Sequence, residues 1–255
     1  MELTSTDGTR IVTTEAGEGP PVLLVPGSAH DATAMGGLVR ELAPSFTCHA
    51  MDRRGTGKSG DSPEYAIERE FEDVAVAVAA LSEPLIVFGH SFGTLCALDA
   101  ARRGARIETL VLYDPPIPLD GPPAPEIIDA AEAALAAGDH RGVLEVLLRQ
   151  IVRLPDSEWA VVSTLPDRWF EAFAHTALRE MAAVTDGDIG AYADIEANTL
   201  LLLGTESPPH VARATRELAA VMPRATLELL EGQGHNAILA APQLIADRIT
   251  SFLGR

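Results

Sequence analysis

Two periodicities divide the chain. Short apolar runs bounded by turn residues mark strands, and longer stretches with apolar positions three and four apart mark helices. Residues 3–5 and 10–16, joined at Asp7-Gly8, are predicted to form a hairpin. Residues 21–25 are a wholly apolar run closed by Pro26-Gly27, the pattern of a strand buried on both faces, and residues 46–51 repeat it. A helix is predicted over 70–81, where Phe71, Val74, Val78 and Leu81 share a face. A strand over 85–88 ends at Gly89, a helix rich in small residues covers 92–103 and stops at Gly104, and a further buried strand covers 108–113.

Strands alternating with helices predict an α/β fold, a mostly parallel sheet covered on both faces. The alternation breaks at Asp114-Pro115-Pro116. After a Pro-rich linker the pattern is helical alone, over 127–137, 141–153, 157–163 and 168–184. It then resumes with a strand over 200–203, a helix over 211–221, a strand over 225–230 and a helix over 243–253. The expected organisation is a core formed by residues 1–114 and 193–255, with eight strands, and a helical cap of residues 115–192 inserted after the sixth strand. No internal repeat or low-complexity tract interrupts this plan.

The chemistry concentrates at two turns. Gly89-His90-Ser91-Phe92-Gly93 matches G-x-S-x-G between an apolar strand and a small-residue helix, which would hold the Ser91 hydroxyl clear of the sheet at a sharp bend. The Phe92 amide would point the same way, toward a developing oxyanion. A serine hydroxyl needs a base at neutral pH. His235, in the turn Gly232-Gln233-Gly234-His235-Asn236 after the last predicted strand, is placed to reach it. Of the other histidines, His90 adjoins Ser91 but should point away from it, His30 and His210 are open between pocket and structural roles, and His49, His140 and His175 read as packing or surface residues.

These motifs, together with Asp52-Arg53-Arg54-Gly55-Thr56-Gly57-Lys58-Ser59, which is similar to a D-x-R-G-x-G-x-S loop, resemble the α/β-hydrolase superfamily, in particular its small, capped, cofactor-free esterase-like members. Gly57-Lys58-Ser59 taken alone matches the end of a phosphate loop, but the Walker pattern needs glycine where Asp52 stands. The resemblance implies a catalytic acid a few residues after Gly204, and that position is Ser207, which cannot carry the counter-charge of an imidazolium. Asp114, at the end of the sixth strand, and Glu206 are the candidate acids; a Ser–His dyad is the remaining option. The loop Pro26-Gly27-Ser28-Ala29 stands where the family usually carries His-Gly, and the Ser28 amide is the expected second oxyanion donor, beside that of Phe92. Ala29, His30, Trp159, Trp169, Phe173 and Asn236 are the candidate substrate-binding residues, with Phe170 a further aromatic of the cap and helix packing an alternative role for these rings.

The expected activity is serine-dependent cleavage of a small-molecule carboxylic ester, thioester or lactone. A non-hydrolytic lyase or cyclase using His235 and Asp114, and a small-ligand-binding protein that retains the fold, are the alternatives. No metal or other cofactor is expected. Composition narrows the partners: 19 Lys+Arg against 37 Asp+Glu give a net charge of −18, which repels nucleic acid and anionic membrane surfaces. The N-terminus lacks a basic stretch followed by an apolar run, and Cys48 and Cys96 match no metal or redox spacing, so a cytoplasmic monomer or homodimer with reduced thiols is expected.

Overall fold

The apolar runs become one eight-stranded sheet in the computed structural model, which describes residues 1–82, 84–185 and 187–254. Its strands are β1 (Glu2–Thr4), β2 (Arg10–Ala16), β3 (Pro21–Val25), β4 (Thr47–Asp52), β5 (Ile86–His90), β6 (Thr109–Tyr113), β7 (Asn198–Gly204) and β8 (Ala225–Leu230), in the spatial order β1-β2-β4-β3-β5-β6-β7-β8. The β1–β2 and β2–β4 pairs are antiparallel; every pair from β4 through β3 to β8 is parallel. All residues of β3, β5 and β6 are buried, as the unbroken apolar runs required.

The two faces use alternate residues of the same strands. Leu23, Val25, Val87, Leu110, Leu112 and Leu201 point into one apolar layer, which includes residues of α2 (Ile67–Ala80), α3 (Phe92–Arg102) and α8 (Pro209–Val221). Val22, Leu24, Phe88, Val111, Leu200 and Leu202 point into the other, with α1 (Gly36–Leu42) and α10 (Pro242–Phe252). After β3 the chain crosses to β4 on one side and later to β5 on the other. The strand order therefore reverses at β3, and a crevice opens at the carboxyl ends of β3 and β5, the usual place for ligands in open α/β sheets.

Two short helices have no counterpart in the periodicity. Helix α1 begins with Gly36-Gly37, poor helix formers that mask the pattern. The fold needs Gly37 small, because a Cβ there would come within 3.0 Å of Pro242. The other, α9 (Ala237–Ala240), is too short to show a period.

Between β6 and β7 lie α4 (Pro125–Ala136), α5 (His140–Val146), α6 (Asp156–Val162) and α7 (Asp167–Ala183). The single helix predicted over 141–153 is in fact α5 running into a π-helical turn, Leu147–Ile151. This insertion has an apolar centre of its own, built from Val143, Leu144, Phe170, Phe173, Ala177 and Met181. Helix α7 ties it to the loop after β4: Arg179 pairs with Asp61 at 2.7 Å and donates to the Arg54 carbonyl at 3.0 Å. Among the described residues no helix is long and apolar enough to cross a membrane.

Candidate active site

Ser91 sits at the turn between β5 and α3 with φ 50° and ψ −124°, a backbone conformation an L-residue occupies only when its surroundings hold it there. Three contacts do so. The Ser91 amide donates to the Tyr113 carbonyl at 3.0 Å, and both the amide (2.8 Å) and the hydroxyl (2.6 Å) of Thr94 donate to the Ser91 carbonyl. Gly93 lets this turn lie against β3, since a Cβ there would stand 2.3 Å from the Val25 carbonyl oxygen.

The structure brings Ser91, His235 and Asp114 together. The Ser91 hydroxyl lies 3.0 Å from His235 Nε2, and His235 Nδ1 lies 2.9 Å from Asp114 Oδ2. Asp114 is fully buried just past β6 and also has a left-handed backbone, φ 53°. Its carboxylate accepts from two further donors besides His235. Ser207 Oγ donates to Oδ2 at 2.6 Å and the Gly204 amide to Oδ1 at 3.4 Å. Ser207, at the position where the resemblance placed an acid, is thus a donor to the acid on the neighbouring strand. Glu206, the alternative acid, does not take this place. Glu206 is exposed, its amide donates to the Gln233 carbonyl at 2.9 Å, and its carboxylate has no bond to His235.

The turn carrying His235 is braced from beneath. His90 Nε2 donates to the His235 carbonyl at 3.0 Å, and Tyr113 Oη donates to the Gly234 carbonyl. Burial, reinforced by the neighbouring His235 and His30 rings, holds the His90 pKa well below the usual imidazole value, so the ring is neutral and serves as a strut. Asn236 Nδ2 donates to Glu158 Oε2 of α6 at 2.5 Å, which links the same turn to the insertion.

The loop after β3 approaches Ser91 closely: a Cβ on Gly27 would lie 2.9 Å from Ser91 Cβ. The sequence leaves this loop without its usual histidine, and Arg53 supplies the missing support. Its guanidinium, fully buried, donates from Nε to the Pro26 carbonyl at 3.0 Å and from Nη2 to the Gly27 carbonyl at 3.1 Å. It is flanked by Glu180 of α7 at 2.8 Å and Glu70 of α2 at 3.1 Å, and lies 4.9 Å from the centre of the Phe92 ring. Ser28 and Phe92 both line the cavity beside Ser91. Phe92 is the first residue of α3, so its amide has no acceptor within the helix. The remaining residues of the Asp52 loop are structural. Asp52 accepts from the amides of Ala32 at 2.8 Å and Lys58 at 2.9 Å, and Arg54 pairs with Asp73 at 2.7 Å and Asp7 at 2.9 Å.

A cavity of about 310 Å³ opens above Ser91, lined on one side by His30, His235 and Asn236 and on the other by aliphatic residues of the insertion such as Ile117, Leu148, Ile151 and Val184. His30 donates from Nδ1 to the Ser28 carbonyl at 3.0 Å, and burial lowers its pKa to about 4. Of the candidate substrate-binding residues, four do not line this cavity. Trp169 packs edge-on against both Phe170 and Phe173 inside the insertion, where a helix face rich in aromatics buries more surface than a pocket wall would. Trp159, half-buried on α6, lies outside the lining, and Ala29 (φ 56°) is buried against the insertion's apolar centre. Sequence reasoning missed Arg53, Glu70 and Glu180 as a group. The signal was present, since Glu180 falls three residues after Ala177 and seven after Phe173, on the buried face of α7.

Residues 22–248 match the model of the alpha/beta hydrolase family. The crystal structure of an alpha/beta hydrolase from Sphaerobacter thermophilus superposes with a TM-score of 0.89 at 34% identity, covering 99% of this chain and 100% of that one. The lipase LipV of Mycobacterium tuberculosis is 28% identical over 253 residues, 88% of this chain and 91% of its own length. The 2-(acetamidomethylene)succinate hydrolase of Mesorhizobium japonicum is 25% identical over 255 residues, 94% of this chain and 90% of its own. With the elbow at Ser91, the eight-stranded sheet and these relatives in agreement, the chain belongs to the alpha/beta hydrolase family of enzymes.

Proposed function

We propose that this enzyme is a serine hydrolase that cleaves a carboxylic ester, thioester or lactone of a small molecule through an acyl-enzyme on Ser91. The observation that carries this reading is the continuous chain of hydrogen bonds from Ser91 Oγ through His235 to Asp114. The lipase among the relatives supports an ester as substrate. In the first half-reaction Oγ attacks the carbonyl carbon while His235 Nε2 takes its proton. The resulting oxyanion is held by the amides of Phe92 and Ser28. As the C–O bond to the alcohol breaks, the leaving oxygen receives the proton from His235. Water then enters, gives a proton to His235, and attacks the acyl carbon. Release of the acid returns the proton to Ser91 Oγ.

Asp114 accepts from Nδ1, which keeps the imidazole in the tautomer whose Nε2 can act as base and balances the charge that forms on the ring. Residues 115–192 act as a cap whose aliphatic side chains exclude water from the acyl-enzyme. The cofactor-free chemistry needs only groups on this chain. The enzyme works on small molecules and as a cytoplasmic protein, a monomer or homodimer. The test is labelling with a fluorophosphonate followed by peptide mass analysis, with turnover of short-chain 4-nitrophenyl esters. Label on Ser91, and loss of both label and turnover in Ser91→Ala by about a thousandfold or more, is the expected result. A Ser91→Ala variant that keeps its turnover would point instead to proton-transfer chemistry of a lyase or cyclase, and tight ligand binding without turnover in the wild type would point to a binding protein.

A further inference from the structure

Four non-glycine residues among those described have a left-handed backbone: Ala29, Ser91, Asp114 and Arg153. The first three belong to the loop, nucleophile and acid positions of the site. Arg153 (φ 60°) lies far away in sequence, just after the π-helical turn of the insertion, yet it lines the same cavity. Its backbone ends that helix: the Val152 amide donates to the Leu147 carbonyl at 2.9 Å, and the Leu154 amide to the Leu148 carbonyl at 2.9 Å. Glycine closes such a turn without strain. The backbone alone therefore does not account for an arginine here, and a residue held in strain at the rim of a site points to a use for its side chain.

Arg153 also differs in its ion pairing from the other arginine of the cavity lining. Arg213, across the cavity mouth, pairs with Asp120 at 2.7 Å and lies 3.8 Å from Glu217. Among the described residues Arg153 has no such ion pair, and its side chain is exposed at the mouth. Its field nevertheless reaches inward. His210, another lining residue, has its pKa lowered to about 4 by burial and then by the positive charges of Arg153 and His235. Arg153, His210, His235 and Ser91 line one cavity of about 310 Å³, so a small molecule lying in it can meet Arg153 and the reacting centre together. Asp120 also lines the cavity and feels the charge of Arg153, but its carboxylate is held by Arg213 at 2.7 Å, which leaves the Arg153 guanidinium open to an anion from solution.

We propose that Arg153 binds a carboxylate carried by the substrate, so that the ester cleaved at Ser91 is a small anionic one, such as a half-ester of a dicarboxylic acid. The inference rests on the hydrolase reading and specifies its substrate class. Monoethyl succinate, glutarate and adipate, each paired with the corresponding diethyl ester, test it, because the members of a pair differ chiefly in charge. The half-esters are expected to be preferred, and Arg153→Gly, which suits the local backbone, should raise their KM by about tenfold or more, the loss of one charge-assisted contact. The diethyl esters should change by less than about twofold, and Arg153→Lys should recover part of the preference. A structural role at the helix end alone would move the melting temperature and not the ratio between paired esters. Equal use of both members of every pair, with no selective effect of Arg153→Gly, overturns the inference while leaving the esterase reading intact. Calorimetric titration with glutarate checks the same contact without turnover: saturable binding that Arg153→Gly abolishes is expected, and no binding to the wild type counts against it. Absence of fluorophosphonate labelling at Ser91 would instead mark failure of the underlying reading.

Discussion

At the scale of single residues, the site is organised around a buried carboxylate that belongs to the sixth strand instead of the seventh. Asp114 Oδ2 accepts both from His235 and from Ser207, so the serine three residues past β7 uses its hydroxyl to orient that carboxylate. Asp114→Asn should preserve the packing but present an amide to Nδ1, and kcat is expected to fall by about a thousandfold to ten-thousandfold with little change in KM. Because β6 and β7 are hydrogen-bonded neighbours, the two side chains meet from adjacent strand ends. The exchanged pair Asp114→Ser with Ser207→Asp is therefore expected to recover about tenfold or more over Asp114→Ser alone, a difference that steady-state kinetics resolves directly. No recovery would mean that the strand-6 position holds the ring in a geometry the strand-7 position cannot reach.

Between elements, two contacts link the insertion to the chemistry. Glu158 of α6 receives Asn236 beside His235, and Glu180 of α7 receives Arg53, which in turn holds the Pro26 and Gly27 carbonyls. Arg53 also faces Glu70 of α2 at 3.1 Å. Burial pushes the Glu70 carboxyl up to about 7, with the charge of Arg53 opposing and that of Glu180 adding to the shift. A carboxyl raised in this way keeps its proton in the folded protein after the unfolded chain has released it. Below its ordinary 4.5 both states are protonated; from there to about 7 stability falls as pH rises, and above that window the penalty is constant. Glu70→Gln removes this dependence, so its stability relative to wild type, measured by urea unfolding, should rise between about pH 5 and about pH 8. An unchanging difference across that interval would contradict the assignment. Phe173, which lies among its aromatic and aliphatic neighbours inside the insertion, offers a contrasting case. Phe173→Ala is expected to cost about 3–5 kcal/mol of stability in denaturant melts, and to leave the ranking of short esters by kcat/KM unchanged, because the side chain belongs to the apolar centre of the insertion and does not line the cavity.

For the molecule as a whole, charge and burial predict what it will not react with. A net charge of −18 gives a field that repels polyanions, so neither duplex DNA nor vesicles rich in phosphatidylserine should retain the protein at physiological salt in a gel-shift or sedimentation assay. Both cysteines are buried and free, and burial pushes the Cys48 thiol up to about 11 and that of Cys96 well above its usual range. Iodoacetamide is therefore expected to leave ester turnover intact under conditions in which a fluorophosphonate abolishes it. Inactivation by the thiol reagent would require the fold to open around those side chains.

The fold was legible in the chain because strand and helix patterns are local, and a strand buried on both faces, such as Pro21–Val25, must be apolar at every position. The elbow at Ser91 and the turn at His235 were legible for the same reason, since a sharp bend restricts which residues flank it. What periodicity leaves open is decided by contacts between distant segments. The choice of Asp114 over Glu206 depends on β6 and β7 ending side by side. The support of the loop after β3 depends on Arg53 and Glu180, 127 positions apart. The aromatic residues of the insertion look the same in sequence whether they line a pocket or fill a core. Local propensity acts within a few residues, whereas charge pairing, burial and proton sharing act across a few ångströms of space, and only the folded chain converts one distance into the other.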